Sequence, residues 1–452
     1  MRAGPDRPAI MTAQSPATVP GSTPGEQGRL SAHLGLPGAT ALAITVVVGS
    51  GALVLPGIAY RQAGQDAVFA WIVAAAVTVP LLIVFAKLGA RYPGAGGVAG
   101  FVHAGFGRTA AAAVEVLMLG TFSLGIPAIA LTGGNYMVRA LGLSTRSGPA
   151  AAVLVLGAGA VVAIGVRLSG RLQTALALML TIGLFCAAFL ALQNPITSVT
   201  VHVPTDTEHL LIVAATVGTV FFAFTGWETI SFTTEEYRNP RRDFPRVLVL
   251  SFVLVTVMYV LLAMGLQAQL PSTDPGLSGA PVSDMVEQAA GNGAAQATTL
   301  LGIVAIAANL VGAFWGASRL VMSSARAGLL PRPLAHVHAK SSTPRRAVGV
   351  CVATCLVIIG LQTSGLFTLD TLLSLAGRNF FVIYLLSALA YARLFTGRAR
   401  AFGIIIAVVL ATLTLGFGLT SWVYVLTLLA VGALVHRQRG RRSARADEAS
   451  SA

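Results

Sequence analysis

Residues 46–57 read V-V-V-G-S-G-A-L-V-L-P-G, an apolar run punctuated by Gly49, Ser50, Gly51, Pro56 and Gly57. It lies inside a longer apolar stretch, residues 39–60, about the length a helix needs to cross a bilayer core of about 30 Å. Glycine and proline are poor residues for such a helix. Backbone groups freed by a break find no water in hydrocarbon, so they must line a cavity or be buried in protein. The stretch therefore predicts a membrane helix broken on purpose, and the rest of the chain is read against that prediction.

The composition agrees. Of the 452 residues 55% are apolar and 10% are charged, against about 25% charged in a soluble domain. The mean hydropathy is +0.78. A soluble enzyme, a disordered protein and a DNA-binding domain are excluded. Twelve apolar runs are long enough to be spans: residues 39–60, 67–88, 110–137, 149–166, 172–192, 210–232, 247–266, 294–323, 347–362, 369–394, 402–419 and 422–436. Residues 97–106 form an interfacial segment before the third. An even count puts both termini on one side. With the termini inside, only Arg61, Arg139 and Arg146 of the 30 Lys and Arg fall outside, and Arg378 falls within a span. That bias is the positive-inside pattern, so the net charge of +14 is a topology signal and calls for no nucleic acid. The chain divides into a disordered cytoplasmic tail (1–38, with Met1 or Met11 as the start), a core (39–394), two further helices (395–436) and a basic cytoplasmic tail (437–452). The first apolar run is too long for a signal peptide and no cleavage pattern follows it. Cys186, Cys351 and Cys355 have no ligand-like spacing to histidine, so neither a disulfide framework nor a metal site is expected.

A second break matches the first. Span six carries F-F-A-F-T-G-W-E, residues 221–228, with Gly226 in mid-membrane and Glu228 two residues on. Five spans separate the breaks. Corresponding interruptions in two halves point to a transporter of inverted repeats with its site at the midplane. An unwound helix offers N–H groups and a positive dipole end to an anion, and free carbonyls to a cation. A zwitterion satisfies both, which makes an α-amino acid the natural ligand. Glycine lets a carboxylate approach the backbone, and the Ser50 hydroxyl adds a donor. The competing reading is that Gly49 and Gly51 only permit close helix packing.

Four stretches then resemble one family in order and at family spacing. They are VVGSGALVLPG; AKLGARYPGAGGVAGFVHAGFG (86–107); FFAFTGWETISFTTEEYRNPRRDFPR (221–246); and SRLVMSSARAGLLPRPLAHVH with TPRRAV (318–348). Together they resemble the amino acid–polyamine–organocation superfamily of permeases over about residues 37–400. The span-six pattern is most similar to bacterial exporters of methionine and branched-chain amino acids. The resemblance implies an all-α, leucine-transporter-like fold of two inverted five-helix repeats, helices 1 and 6 broken, plus two extra helices. It implies that the substrate carboxylate meets Ser50 and Gly51, that the amine meets carbonyls of Val47, Phe222, Ala223 and Thr225, and that Phe222 or Phe224 gates the ligand. Trp227 either faces the pocket or packs against a neighbour. Some proton-coupled relatives carry a lysine midway along helix five. Residues 172–192 hold no ionisable side chain, so a coupling proton must use other groups, or the protein exchanges or facilitates.

Three ionisable residues lie at membrane depth, where they are costly and usually paired or functional. Glu228 either binds a proton during transport or partners Arg378 or backbone freed by the break. Glu115 is expected to pair near Arg108. Arg378 has either acid as a candidate partner. Glu235, Glu236, Arg238, Arg241, Arg242 and Asp243 form an inner cluster, read as a topology anchor or as an inner gate. The pocket offers no second acid, which favours a neutral side chain. No P-loop motif is present, so ATP-driven pumping by this chain is excluded. The expected function is a secondary transporter of neutral amino acids in the cytoplasmic membrane, not an enzyme, without cofactor. The alternatives are a polyamine or organic-cation transporter of the same fold and a non-transporting sensor. Substrate identity, direction, coupling ion and oligomeric state stay open.

Overall fold

The computed structural model describes residues 36, 40, 43, 44, 47–92, 98–143, 146–165, 170–226, 240–338 and 343–451. These are helical almost throughout; a lone bridge between His338 and Thr343 is the extent of β pairing among them. The helices are α1 (Ser50–Ala63), α2 (Ala67–Arg91), α3 (Val98–Phe106), α4 (Arg108–Ala140), α5 (Gly148–Ile164), α6 (Gly170–Gln193) and α7 (Thr207–Val220). They continue as α8 (Pro240–Gln269), α9 (Pro281–Arg326), α10 (Arg345–Thr363), α11 (Leu369–Leu394), α12 (Gly397–Leu413) and α13 (Leu419–Ser451).

Among the described residues, ten helical stretches are long and apolar enough to cross a membrane. This differs from the expected twelve in two places. Residues Ser50–Leu88 form one continuous stretch through the short turn Gly64–Asp66, and Gly148–Ile164 is a shorter apolar helix of 17 residues. At 1.5 Å per residue α5 is about 26 Å long, short of a full hydrocarbon core. The expected interfacial segment is a separate helix, α3. Gly107 (φ 86°, ψ 179°) turns the chain between α3 and α4, a conformation that a side chain would resist. Helix α9 begins with a segment that sequence patterning passes over: residues 281–290 are helical, and Gly291 (φ 78°) kinks the chain before the expected span. At the other end, α13 runs on through the basic segment to Ser451.

Helix α4 is the centre of the packing. It contacts α3, α5, α9, α10, α11 and α13, and its stretch from Gly120 to Tyr136 is mostly buried. Its C-terminal Arg139 pairs with Asp284 and Glu287 at the start of α9, so these two long helices run antiparallel. At the same end Arg61 of α1 pairs with Asp370 of α11. The face bearing Arg61, Arg139 and Arg146 is called outer below. Lipid-like surfaces occupy the periphery: Ile182, Phe189, Val249, Val357 and Ile405 are all at least 60% exposed, as expected where hydrocarbon replaces water.

Candidate functional site at two helix breaks

The first break is visible in the backbone. Val47 is helical, Val48 and Gly49 bend away, and helix resumes at Ser50. Gly49 has φ −130° and ψ −135°, far from helical values. The ladder is interrupted there: Val48 N–H still bonds Ile44 at 2.7 Å, and Ala52 N–H reaches only Gly49, at 3.3 Å. The second break follows α7. Residues Phe221–Phe224 tighten into a 3-10 turn, Thr225 is extended (φ −99°, ψ 164°) and Gly226 has φ 107°. The glycine at 226 is required because that φ is left-handed territory. Trp227 and Glu228 lie outside the described residues, as do Glu235, Glu236 and Arg238. The side chains of Arg241, Arg242 and Asp243 also fall outside them.

The two breaks touch. A methyl group placed on Gly51 would come within 3.0 Å of the Ala223 Cβ and 3.1 Å of its Cα. One on Gly49 would meet the Asn309 side chain of α9 at 2.5 Å. These glycines do serve close packing, and α1, α7 and α9 converge because of them. The packing reading and the binding reading therefore apply to the same residues. Ser50 separates them. It is 1% exposed, and its hydroxyl has no hydrogen-bond partner. Packing alone gives no reason to bury an unsatisfied hydroxyl, which costs of order 1–3 kcal/mol.

The carbonyls expected to receive an amine are largely engaged. The Tyr259 hydroxyl of α8 lies 3.3 Å from the Val47 oxygen and 3.1 Å from the Ala223 oxygen, donating across both breaks. The Phe222 oxygen accepts from the Thr225 hydroxyl at 2.8 Å and its N–H at 3.3 Å. With one such bond each, the Val47 and Ala223 oxygens keep a second lone pair, whereas the Phe222 oxygen, accepting twice, has both engaged. Tyr259 was invisible to sequence reasoning, because a tyrosine in an apolar helix has no local partner that betrays its role. It sits in an aromatic cluster: Trp71 of α2 lies 5.0 Å from Tyr259 and 5.8 Å from Phe224, and Phe224 lies 5.4 Å from Tyr259 and 6.1 Å from Phe252. Phe224 is wholly buried in that cluster. Phe222 is half-buried, faces Gly125 of α4 and lies 6.1 Å from Phe380. A small cavity beside Val48 is lined by Leu176, Met179 and Leu180 of α6 and Val304, Ala305 and Ala308 of α9, so this flank of the break is purely apolar.

The ionisable residues at depth are elsewhere. Glu115 accepts a hydrogen bond from Ser324 of α9 at 2.6 Å. The expected pairing with Arg108 is absent among the described ion pairs, because Ser324 projects from the neighbouring helix onto the carboxylate first. Arg378 does not meet Glu115 either. Its Nη1 donates to Ser421 at 2.9 Å and its guanidinium lies 5.5 Å from the Phe417 ring centroid, tying α11 to the entry of α13. No group of three or more potential metal ligands exists among the described residues.

Two interrupted helices thus meet around a buried hydroxyl without a partner, in a bundle of apolar helices long enough to cross a membrane. The amino acid permease family model matches residues 34–439, and the chain belongs to that family. It is 30% identical over 388 residues to the L-methionine/branched-chain amino acid exporter YjeH of Escherichia coli, covering 83% of this chain and 89% of that one. It is 24% identical to the branched-chain amino acid permease BcaP of Bacillus subtilis over 72% of this chain and 73% of that one. With the human Asc-type amino acid transporter 1 it shares 28% identity over 79% and 70%. The crystal structure of MhsT in complex with L-phenylalanine superposes with a TM-score of 0.58 at 14% identity, covering 89% of this chain and 100% of that one. The fold is thus that of MhsT, a leucine-transporter-like fold.

Proposed function

We propose that the protein is a secondary transporter that moves neutral amino acids across the cytoplasmic membrane by alternating access. The observation that carries this is the Ser50 hydroxyl, buried without a partner where a broken helix restarts. A carboxylate bound by Ser50 and the backbone at Gly51 would satisfy it and would sit at a helix N-terminus, where an anion is favoured. The amine would take the free lone pairs of Val47 and Ala223 and the Thr225 carbonyl, and would compete with Thr225 for the Phe222 oxygen. Phe222, half-buried and next to Gly125, suits the gate better than the enclosed Phe224. A neutral aliphatic side chain is in line with the substrates named for the Escherichia coli and Bacillus subtilis relatives. The ion pairs Arg61–Asp370 and Arg139–Asp284 would close the outer side. Twelve spans with both termini cytoplasmic complete the reading, α5 crossing where the bilayer is locally thin. Glu228 is kept as a candidate for a coupling proton; Arg378 and Glu115 act as structural ties.

The test is a flux panel in proteoliposomes, with labelled methionine, leucine, isoleucine, valine, arginine and putrescine under imposed amino acid and proton gradients. Movement of the aliphatic amino acids is expected. Movement of putrescine or arginine alone would replace the reading with an organic-cation transporter, and binding without flux would replace it with a sensor.

A further inference from the structure

The α1–α2 turn holds a carboxylate that the proposed transport site does not use. Asp66 is 2% exposed and lies in the turn between two helices. Both of its oxygens are engaged by histidine. Nδ1 of His202, in the connection before α7, meets Oδ1. Nδ1 of His209, in the first turn of α7, meets Oδ2 at 2.7 Å. Both imidazoles are 50% exposed at the side chain, so solvent protons reach them while the carboxylate stays covered. A buried carboxylate without a counter-charge is costly, and two half-exposed imidazoles are its nearest partners.

We propose that Asp66, His202 and His209 form a proton-tightened clasp that fastens the α1–α2 turn to the start of α7. A neutral imidazole with its proton on Nδ1 donates a hydrogen bond to the carboxylate. A protonated one donates the same bond and adds the attraction of a full opposite charge, which tightens it. The other charged groups around the clasp act in the same direction or elsewhere. Asp206 caps α7 and accepts from the His209 N–H at 2.9 Å; that bond holds its carboxyl below the usual carboxylate range, so it stays anionic and favours a cationic His209. Glu208 adds a second acid on the same turn. Arg61 is committed to Asp370. Acid favours the protonated imidazoles, so the clasp is tight at low pH and loosens as the pH rises and they lose their protons.

The clasp itself is tested without any flux. Nitroxides are placed at Gln65 and Val201, both exposed and each next to a clasp residue, in the full chain with Cys186, Cys351 and Cys355 replaced and the protein reconstituted in lipid. Dipolar broadening is expected at about pH 5.5 and its loss at about pH 8. In the His202→Asn, His209→Asn double variant, which keeps a neutral donor near each Nδ1 position, the broadening is expected to be independent of pH. Broadening unchanged with pH in the parent, or a pH response that survives in the double variant, would overturn the clasp. The parent titration stands alone if the double variant fails to fold. A flux panel that fails while the parent titrates as expected sinks the transport reading and leaves the clasp.

Discussion

At the scale of single residues, Ser50 and Tyr259 carry the sharpest expectations. Ser50→Ala removes one donor to a charged ligand group and leaves the surrounding packing intact. Hydrogen bonds to charged groups are worth about 1.5–3 kcal/mol, so substrate affinity should fall about 10-fold to 100-fold, with thermal stability unchanged or slightly raised. Unchanged affinity by direct binding would remove Ser50 from the site. Gly51→Leu is a weaker test, because a side chain there also meets Ala223 and would force α1 and α7 apart whatever the ligand does. Tyr259→Phe keeps the ring in its cluster with Trp71 and Phe224 but deprives two buried carbonyls of their shared donor. A neutral hydrogen bond contributes about 1 kcal/mol. A small drop in melting temperature and a several-fold rise in apparent KM are expected; a melting temperature and KM both equal to the parent's would show that the bridge is idle.

At the scale of elements, the breaks were legible and their partners were not. Gly49-Ser50-Gly51 and Gly226 announce themselves because glycine and serine are out of place in a membrane helix, and both breaks are present in the backbone. What holds the breaks comes from α8, α2 and α9, whose contributing residues Tyr259, Trp71 and Asn309 sit in helices of ordinary apolar composition. Tertiary contacts choose those partners, and no local spacing reports them. The same is true of Asp66 with His202 and His209, 136 and 143 residues apart. Arg378 is a different case. Its charge marks it for function, yet its observed contacts are Ser421 and Phe417. Arg378→Met is therefore expected to keep substrate affinity and any proton dependence while loosening the start of α13, seen as faster hydrogen exchange around Ser421. Loss of proton dependence with normal exchange would return Arg378 to the transport pathway. Arg61→Gln removes the tie between α1 and α11. In a background lacking the native cysteines, Thr219→Cys, buried in the parent near Ser374, should then react faster with an impermeant thiol reagent. Equal reactivity would show that the pair does not restrain the outer side.

At the scale of the whole molecule, topology was read from charge and helix lengths from hydropathy. Hydropathy located the apolar helices but could not see that the α1–α2 connection closes within three residues, Gly64–Asp66, or that α5 is short. Both are consequences of how neighbouring helices pack, which the bilayer requirement alone does not fix. Sidedness is open to a direct test. Leu141, just beyond α4, and Arg326, at the end of α9, are both exposed and lie at opposite ends of antiparallel neighbours. A cysteine at Leu141 should react with an impermeant reagent in intact cells, and one at Arg326 only after permeabilisation. The reverse pattern would invert the orientation.

The Tyr259 bridge has one more implication, which concerns the number of hydrogens. A phenol supplies a single hydrogen, and at 3.3 and 3.1 Å it is divided between two acceptors. The carbonyl side of the centre is short of hydrogens. A primary ammonium brings three and a quaternary ammonium none, although both are cations of unit charge. If the amine lodges here, the carrier should distinguish them by hydrogen count: N,N,N-trimethylated leucine should compete with leucine at least about tenfold more weakly, a difference of about 1.4 kcal/mol, even though its charge is the same.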